Sequence, residues 1–132
     1  MASSFVSLAN LYINEGRLDD ALGNLNEALP IMRRKHGEKH PQVARILHNI
    51  GEIYWYQGKL DEALKVLKKA LKYQRRALGN SHPDVAGSIN SVAVVYLQRE
   101  EFNKALVMFD EVEGIGRRVL GKRKDHRSRT TA

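Results

Sequence analysis

The segment Gly37-Glu38-Lys39-His40-Pro41 returns 42 residues later as Gly79-Asn80-Ser81-His82-Pro83, and this return decides the fold. The same step links Tyr12, Tyr54 and Tyr96. It also links Ala21-Leu22, Ala63-Leu64 and Ala105-Leu106, and then Arg33-Arg34, Arg75-Arg76 and Arg117-Arg118. Gly121 continues the series of Gly37 and Gly79. Agreement at this many positions marks an internal repeat, the signature of a stacked array.

Each period carries two apolar stripes with helical spacing. In the middle one, Ala44, Leu47, Ile50, Gly51 and Tyr54 fall three or four residues apart, as on one face of an amphipathic helix. Pro41 suits a first helical turn, where no backbone donor is lost. Gly58 can take the positive φ of a helix end. Leu60, Ala63, Leu64, Leu67, Ala70, Leu71 and Leu78 form a second stripe, which Gly79 stops. Gly51 and Ala63 are small where the two helices of a unit must approach closely; Ala9 with Ala21 and Ala93 with Ala105 match them. This spacing predicts helices over 2–15, 18–36, 41–57, 60–78, 83–99 and 102–119, and no segment alternates long enough for a strand. Short connections make neighbours antiparallel. No unit can bury its own apolar face, so the units must stack. The expected fold class is all-α, a right-handed α-solenoid of antiparallel helix pairs. Its solenoid domain is 1–121, with repeats at about 2–37, 41–79 and 83–121.

Composition narrows the function. The chain has 132 residues, 42% hydrophobic and 28% charged, as an ordinary folded domain does. It has no cysteine, which removes disulfides, thiolate metal sites and cysteine nucleophiles. It has no apolar run long enough to span a bilayer and no signal-peptide pattern, so a cytoplasmic setting is expected. The net charge is +7, but seven of the 22 basic residues and only one of the 15 acids lie from Arg117 onward. The body is nearly neutral. Residues 122–132 read either as a basic tail or as the truncated start of a further repeat, since Asp125-His126 resembles the opening of another unit. The absence of a polar capping helix suggests three repeats of a longer array.

The pattern Leu8-Ala9-x-x-Tyr12…Ala21…Ala28, repeated as Ile50-Gly51-x-x-Tyr54…Ala63…Ala70 and Val92-Ala93-x-x-Tyr96…Ala105, resembles the tetratricopeptide repeat. With its 42-residue period and Leu78-Gly79-x-x-His82-Pro83-Asp84-Val85-Ala86, it resembles the longer repeat of kinesin light chains. The third unit departs from the pattern. Glu100 replaces Gly16 and Gly58, Val112-Glu113 replace Ala70-Leu71, and Gly114 and Gly116 lie inside the expected second helix.

The resemblance implies a concave groove lined by the first helix of each unit, which takes extended or helical peptides. By position the groove residues are Val6, Asn10, Ile13 and Asn14, then Arg45, His48, Asn49, Glu52, Trp55 and Tyr56, then Asn90, Ser91, Val94 and Gln98. Asparagines can bond a peptide backbone without reading its sequence. Trp55 and Tyr56 are candidate anchors, because aromatic side chains dominate binding hot spots. The chaperone-tail clamp of some tetratricopeptide domains needs convergent cations. Asn10 and Asn49 fit it, but Val6, Gly87 and Ser91 occupy the cationic positions, so the clamp is rejected. Kinesin light chains take peptides with an aromatic residue amid acids, and Arg45 is the residue that could meet such an acid.

Other constellations read as structural. His36 and His40 are four apart, yet Gly37 and Pro41 interrupt the helix between them, so no metal site is expected. Asp19-Asp20, Asp61-Glu62 and Glu100-Glu101 stand at starts of second helices, where acids suit the dipole and can cap free N–H groups. No catalytic residue, phosphate loop or cofactor motif emerges. The basic run Lys68-Lys69-x-x-Lys72-x-x-Arg75-Arg76 reads as a solvated face or a patch for an anionic partner. The expected function is a non-enzymatic scaffold binding a protein or peptide, without cofactor or small-molecule substrate. The alternatives are homo-oligomer formation through exposed terminal repeats, and nucleic-acid or membrane binding through the basic tail.

Overall fold

The computed structural model describes the backbone of residues 2–131 and the side chains of 7–118. Six helices follow one another: α1 (Ala2–Asn14), α2 (Leu18–His36), α3 (Pro41–Tyr56), α4 (Leu60–Leu78), α5 (Pro83–Gln98) and α6 (Phe102–Thr131). No strand occurs among the described residues. Packing runs between successive helices, with a smaller α3–α5 contact. Each unit therefore touches its neighbours alone, as expected of an α-solenoid.

The turns explain the periodicity. Gly16 and Gly58 end α1 and α3 at φ +77° and +78°, and Gly37 and Gly79 leave α2 and α4 at +92° and +85°. Glu100 occupies the place of Gly16 and Gly58 and adopts the same left-handed backbone at φ +63°. His40 and His82 are the N-caps of α3 and α5. Each Nδ1 accepts a hydrogen bond, from the Gln42 N–H and the Asp84 N–H, both at 3.1 Å. Pro41 and Pro83 follow as first helical residues. The repeated His-Pro is thus a helix-start device. The rings of His36 and His40 do meet, as a face-to-face stack with centroids 4.2 Å apart, across the interruption that the sequence suggested would separate them.

Two expectations about helix ends need correction. The carboxylates at the starts of α2 and α4 do not occupy the cap: the N-caps there are Arg17 and Lys59, and neither makes a side-chain cap bond. Asp19, Asp20, Asp61 and Glu62 sit in the first turn, where they suit the helix dipole and pair both across units, Asp19 with Gln57 at 3.2 Å and Asp61 with Arg99 at 3.6 Å, and locally. Arg17 holds Asp20 at 2.8 Å, for instance. The second correction concerns α6, which passes Gly121 and runs to Thr131 instead of ending near 119. Gly37 and Gly79 precede His-Pro, whose ring blocks helix continuation. The matching positions after Gly121 are Lys124 and Asp125, so nothing breaks the helix.

Two core clusters hold the stack. The first joins units one and two through Ala9, Ala21, Leu25, Ala28, Val43, Ile46, Leu47 and Ile53. The second joins units two and three through Ala63, Leu67, Leu71, Val85, Ile89, Val92, Val95 and Ile115. Tyr54 packs on both. Burial of each large aliphatic stabilises by roughly 1.5–3 kcal/mol. Gly51 marks a close approach of α3 to α4: a methyl there would lie 2.6 Å from Leu67 Cγ and Cδ2. Cations cover the repeated tyrosines. Arg17 lies 4.5 Å over Tyr12 and Lys59 5.8 Å over Tyr54; Lys104, one turn later in its unit, lies 5.7 Å over Tyr96 because Glu101 fills the equivalent position.

Candidate functional site

The first helices of units two and three enclose a cleft of about 160 Å³. Glu52, Trp55 and Tyr56 of α3 form one wall and Asn90, Ser91 and Val94 of α5 the other, with Leu67 and Val95 beneath. The turn spacing of α3 sets Glu52 and Tyr56 on one line, four residues apart, with Trp55 beside them.

Trp55 does two jobs. Its ring packs on the second core cluster, and its indole N–H donates to Gln98 Oε1 at 2.6 Å, tying α3 to the end of α5. Tyr56 meets it edge-on, with centroids 5.0 Å apart, and remains 55% exposed. The pair therefore offers a fixed ring and a free one. Glu52 accepts from His48 Nε2 at 2.7 Å through one carboxylate oxygen. Its other oxygen stays open to a donor. Ser91 gives its hydroxyl proton to Gly87 O at 3.1 Å and can only accept from a ligand. The cleft thus presents one carboxylate, one exposed amide and an aromatic pair over an aliphatic floor.

Other residues of the expected groove lie outside this cleft. Asn10 and Asn14 are exposed on α1, with Ile13 half-buried beside them, and none of the three lines the cleft. Val6 lies outside the residues with described side chains. Asn49 is half-buried on α3. Arg45 borders a separate recess of about 220 Å³ with Gln42, Gln74, His82 and Asp84. It stands ten positions before Trp55 on α3, roughly 15 Å along the helix axis.

Sequence reading missed one constellation. Ser88 Oγ stands 3.4 Å from His48 Nδ1, and His48 in turn holds Glu52, which gives the order nucleophile, base and acid found in hydrolases. Its members come from two helices 40 residues apart, and no local motif could announce that. The geometry does not make a nucleophile. Ser88 is 1% exposed and donates its proton to Gln74 Oε1, a buried acceptor of α4. A substrate carbonyl cannot reach the oxygen, and the proton is committed away from the histidine. The chain Gln74–Ser88–His48–Glu52 instead satisfies polar groups where three helices meet.

Beyond the cleft, Arg75 and Glu111 form a fork between α4 and α6, with Nη1–Oε2 at 2.5 Å and Nη2–Oε1 at 2.9 Å. The guanidinium bonds hold the Glu111 carboxyl below its ordinary range and push Arg75 up. No cluster of three or more metal-ligating side chains occurs among the described residues, and no described helix is long and apolar enough to cross a membrane.

A model of the tetratricopeptide repeat matches residues 1–75 and again 49–118. No curated protein sequence matches the chain. Among solved structures, BtubC (BKLC) from P. vanneervenii superposes with a TM-score of 0.80 at 28% identity, over 86% of this chain and 45% of that one. A kinesin-light-chain-type protein of nearly identical TPR-like repeats from Podosopora anserina gives 0.77 at 23% identity, over 86% and 54%. The TPR domain of Arabidopsis FLU gives 0.75 at 17%, over 86% and 92%. The chain spans about half the length of the first two.

Proposed function

The chain belongs to the tetratricopeptide repeat family, typically a non-enzymatic scaffold for protein–protein interaction, and from that premise we propose that it binds a peptide segment of a partner in the groove lined by α3 and α5. The observation that carries this reading is the Trp55–Tyr56 cleft, which has an aliphatic floor and polar walls. Such a mixture is what small apolar anchors with a few orienting polar contacts use. Asn90, Ser91 and Glu52 serve as the orienting groups, while Asn10, Asn14 and Asn49 extend the groove toward unit one. His48 and Gln98 position Glu52 and Trp55.

The chemistry of the cleft revises the ligand that the kinesin-light-chain resemblance implied. An acid next to the anchor would face Glu52, and Arg45 is too far along α3 to compensate. The ligand that fits carries an aliphatic or aromatic anchor flanked by a donor such as lysine or arginine. Panning a displayed random-peptide library against the chain tests this. Selected peptides should share an apolar anchor beside a basic residue, and Tyr56→Ala should weaken them roughly tenfold, the loss of an exposed aromatic contact. Binding indifferent to both Tyr56→Ala and Asn90→Ala would refute the reading.

A second reading has its own support. Leu8 and Leu11 are 38% and 52% exposed, whereas Ile50, Ile53, Val92 and Val95, one and two periods on, are buried. Leu106 is 61% exposed where Leu64 is buried. Copies stacked end to end would cover both faces by repeating the internal junction, a heterologous contact. Mass that does not rise with concentration would exclude it. A role for the basic segment 122–132 rests on side chains outside the described residues.

A further inference from the structure

The second helices carry charge that the fold does not require. Lys68, Lys72 and Arg76 of α4 line a shallow depression of about 780 Å³. Lys39, from the turn between α2 and α3, closes one side, and Leu71 with Met108 of α6 supplies apolar surface within it. Arg75 borders the same depression, but its guanidinium is taken by Glu111. Glu38, next to Lys39, is also occupied: it holds Arg33 at 2.5 Å and Lys69 at 3.4 Å. Burial opposes its charge, and the two cations outweigh that, so its carboxyl stays below the ordinary range. Among the described residues, no carboxylate lies within ion-pair distance of Lys39, Lys68, Lys72 or Arg76. Four uncompensated cations therefore surround an apolar floor.

The repeat supplies an internal control. The positions of Lys68 in the other units hold Asn26 and Asp110, and those of Lys72 hold Pro30 and Gly114. Lys39 is matched by Ser81 in the next turn. Arg76, by contrast, recurs as Arg34 and Arg118. Units one and three pack without the lysines, so stacking does not explain them. Like charges held close repel one another, and a bound anion removes that cost.

The apolar floor discriminates among anions. A nucleic-acid backbone brings charge without an apolar side chain to cover Leu71 and Met108. A lipid surface presents its headgroups on a plane that does not enter a depression. An acidic polypeptide brings both charge and an apolar group. We propose that this depression docks an acidic segment of a partner protein, with one bulky apolar side chain on Leu71 and Met108 and flanking carboxylates paired with Lys39, Lys68, Lys72 and Arg76. The surface is separate from the α3–α5 cleft, whose carboxylate repels such a segment, so the chain can hold two ligands of opposite character.

Fluorescence anisotropy on the full chain tests the proposal with a short labelled peptide of aspartates and glutamates around one phenylalanine. Three comparison probes are the same peptide with alanine for phenylalanine, single-stranded DNA, and phosphatidylserine vesicles. The phenylalanine peptide should bind, weaken as salt rises, and lose roughly tenfold in Lys68→Gln/Lys72→Gln, the sum of two exposed ion contacts. Tyr56→Ala should leave it unchanged, which separates this site from the cleft. Glutamine keeps the helix propensity of these exposed positions, so an unchanged circular dichroism spectrum is expected. Unchanged affinity in the double variant overturns the proposal. Equal binding of the alanine peptide, or tighter lysine-dependent binding of DNA or vesicles, also overturns it.

Discussion

Replacing Glu100 by glycine should stabilise the chain, although it deletes a side chain and fills no cavity. Glu100 sits at φ +63°, in the place where units one and two use Gly16 and Gly58. Its N–H bonds Leu97 O at 3.0 Å, as Gly16 bonds Ile13 O and Gly58 bonds Trp55 O, so the turn is the same in all three units. A residue with a Cβ costs about 1–2 kcal/mol in this conformation. Glycine avoids that cost but gives back roughly 0.5–1 kcal/mol through its freedom in the unfolded chain. The side chain offers little in compensation: Arg99 pairs with Asp61 and Glu101, at 3.6 and 3.5 Å, and not with Glu100. The expected gain is therefore about 0.5–1 kcal/mol, or roughly 2–4 °C in midpoint for a chain of this size. Thermal unfolding followed by circular dichroism reads it directly. Glu100→Ala is the decisive control, because it removes the charge and keeps the Cβ. If alanine stabilises as much as glycine, the cause is charge and the backbone account is wrong. A fall in midpoint for Glu100→Gly would refute it outright.

Three further outcomes are expected. Gly114→Ala and Gly116→Ala should each raise stability by about 1 kcal/mol, since both lie within α6 and an added methyl meets nothing; a drop in denaturation midpoint would contradict this. His82→Ala should cost about 1 kcal/mol by freeing the Asp84 N–H at the start of α5, with His82→Asn restoring most of it in urea titrations. Glu111→Gln should lower stability by about 1 kcal/mol near neutral pH, the scale of a partly exposed fork. Because the folded-state pKa of Glu111 is depressed, its contribution is present above the ordinary carboxylate range and is lost as pH falls through the folded value. The variant should therefore shrink its deficit on acidification below about pH 4.5, the ordinary carboxylate value, and a deficit constant with pH would remove the ion pair from the account.

The helical stack was legible because its signals are one-dimensional. A period of 42, two stripes per period and glycines at fixed offsets fix the helices and their order before any coordinate exists. The candidate site was legible only in part. Counting along α3 finds a face but not its partner, so Arg45 and Trp55 were assigned to one groove, whereas the structure puts them in different recesses. The carboxylate pairs misled for a related reason. Acids favour a helix start through the dipole as well as through capping, and composition does not tell the two apart. The extension of α6 through Gly121 turns on the missing proline, an absence that weighs little beside three glycines in register. The link between Ser88, Gln74 and His48 was out of reach, since each belongs to a different helix, and Ser88 and Gln74 are polar where the stripe pattern looks for carbon.

Tyr54 belongs to both core clusters, and that sharing sets how the array answers a load. In a chain whose units touch only their neighbours, stability is a sum of unit terms and junction terms, and a residue counted in two junctions makes them interdependent. A ligand that clamps α3 against α5 would hold Tyr54 still and so tighten the packing of α2 on α3, although it contacts neither Leu25 nor Ala28. Hydrogen exchange in unit one would then slow when the cleft between units two and three is filled. Tyr54, one of three tyrosines set 42 residues apart, would in this respect be a mechanical joint, passing occupancy of the cleft along the array as stiffness.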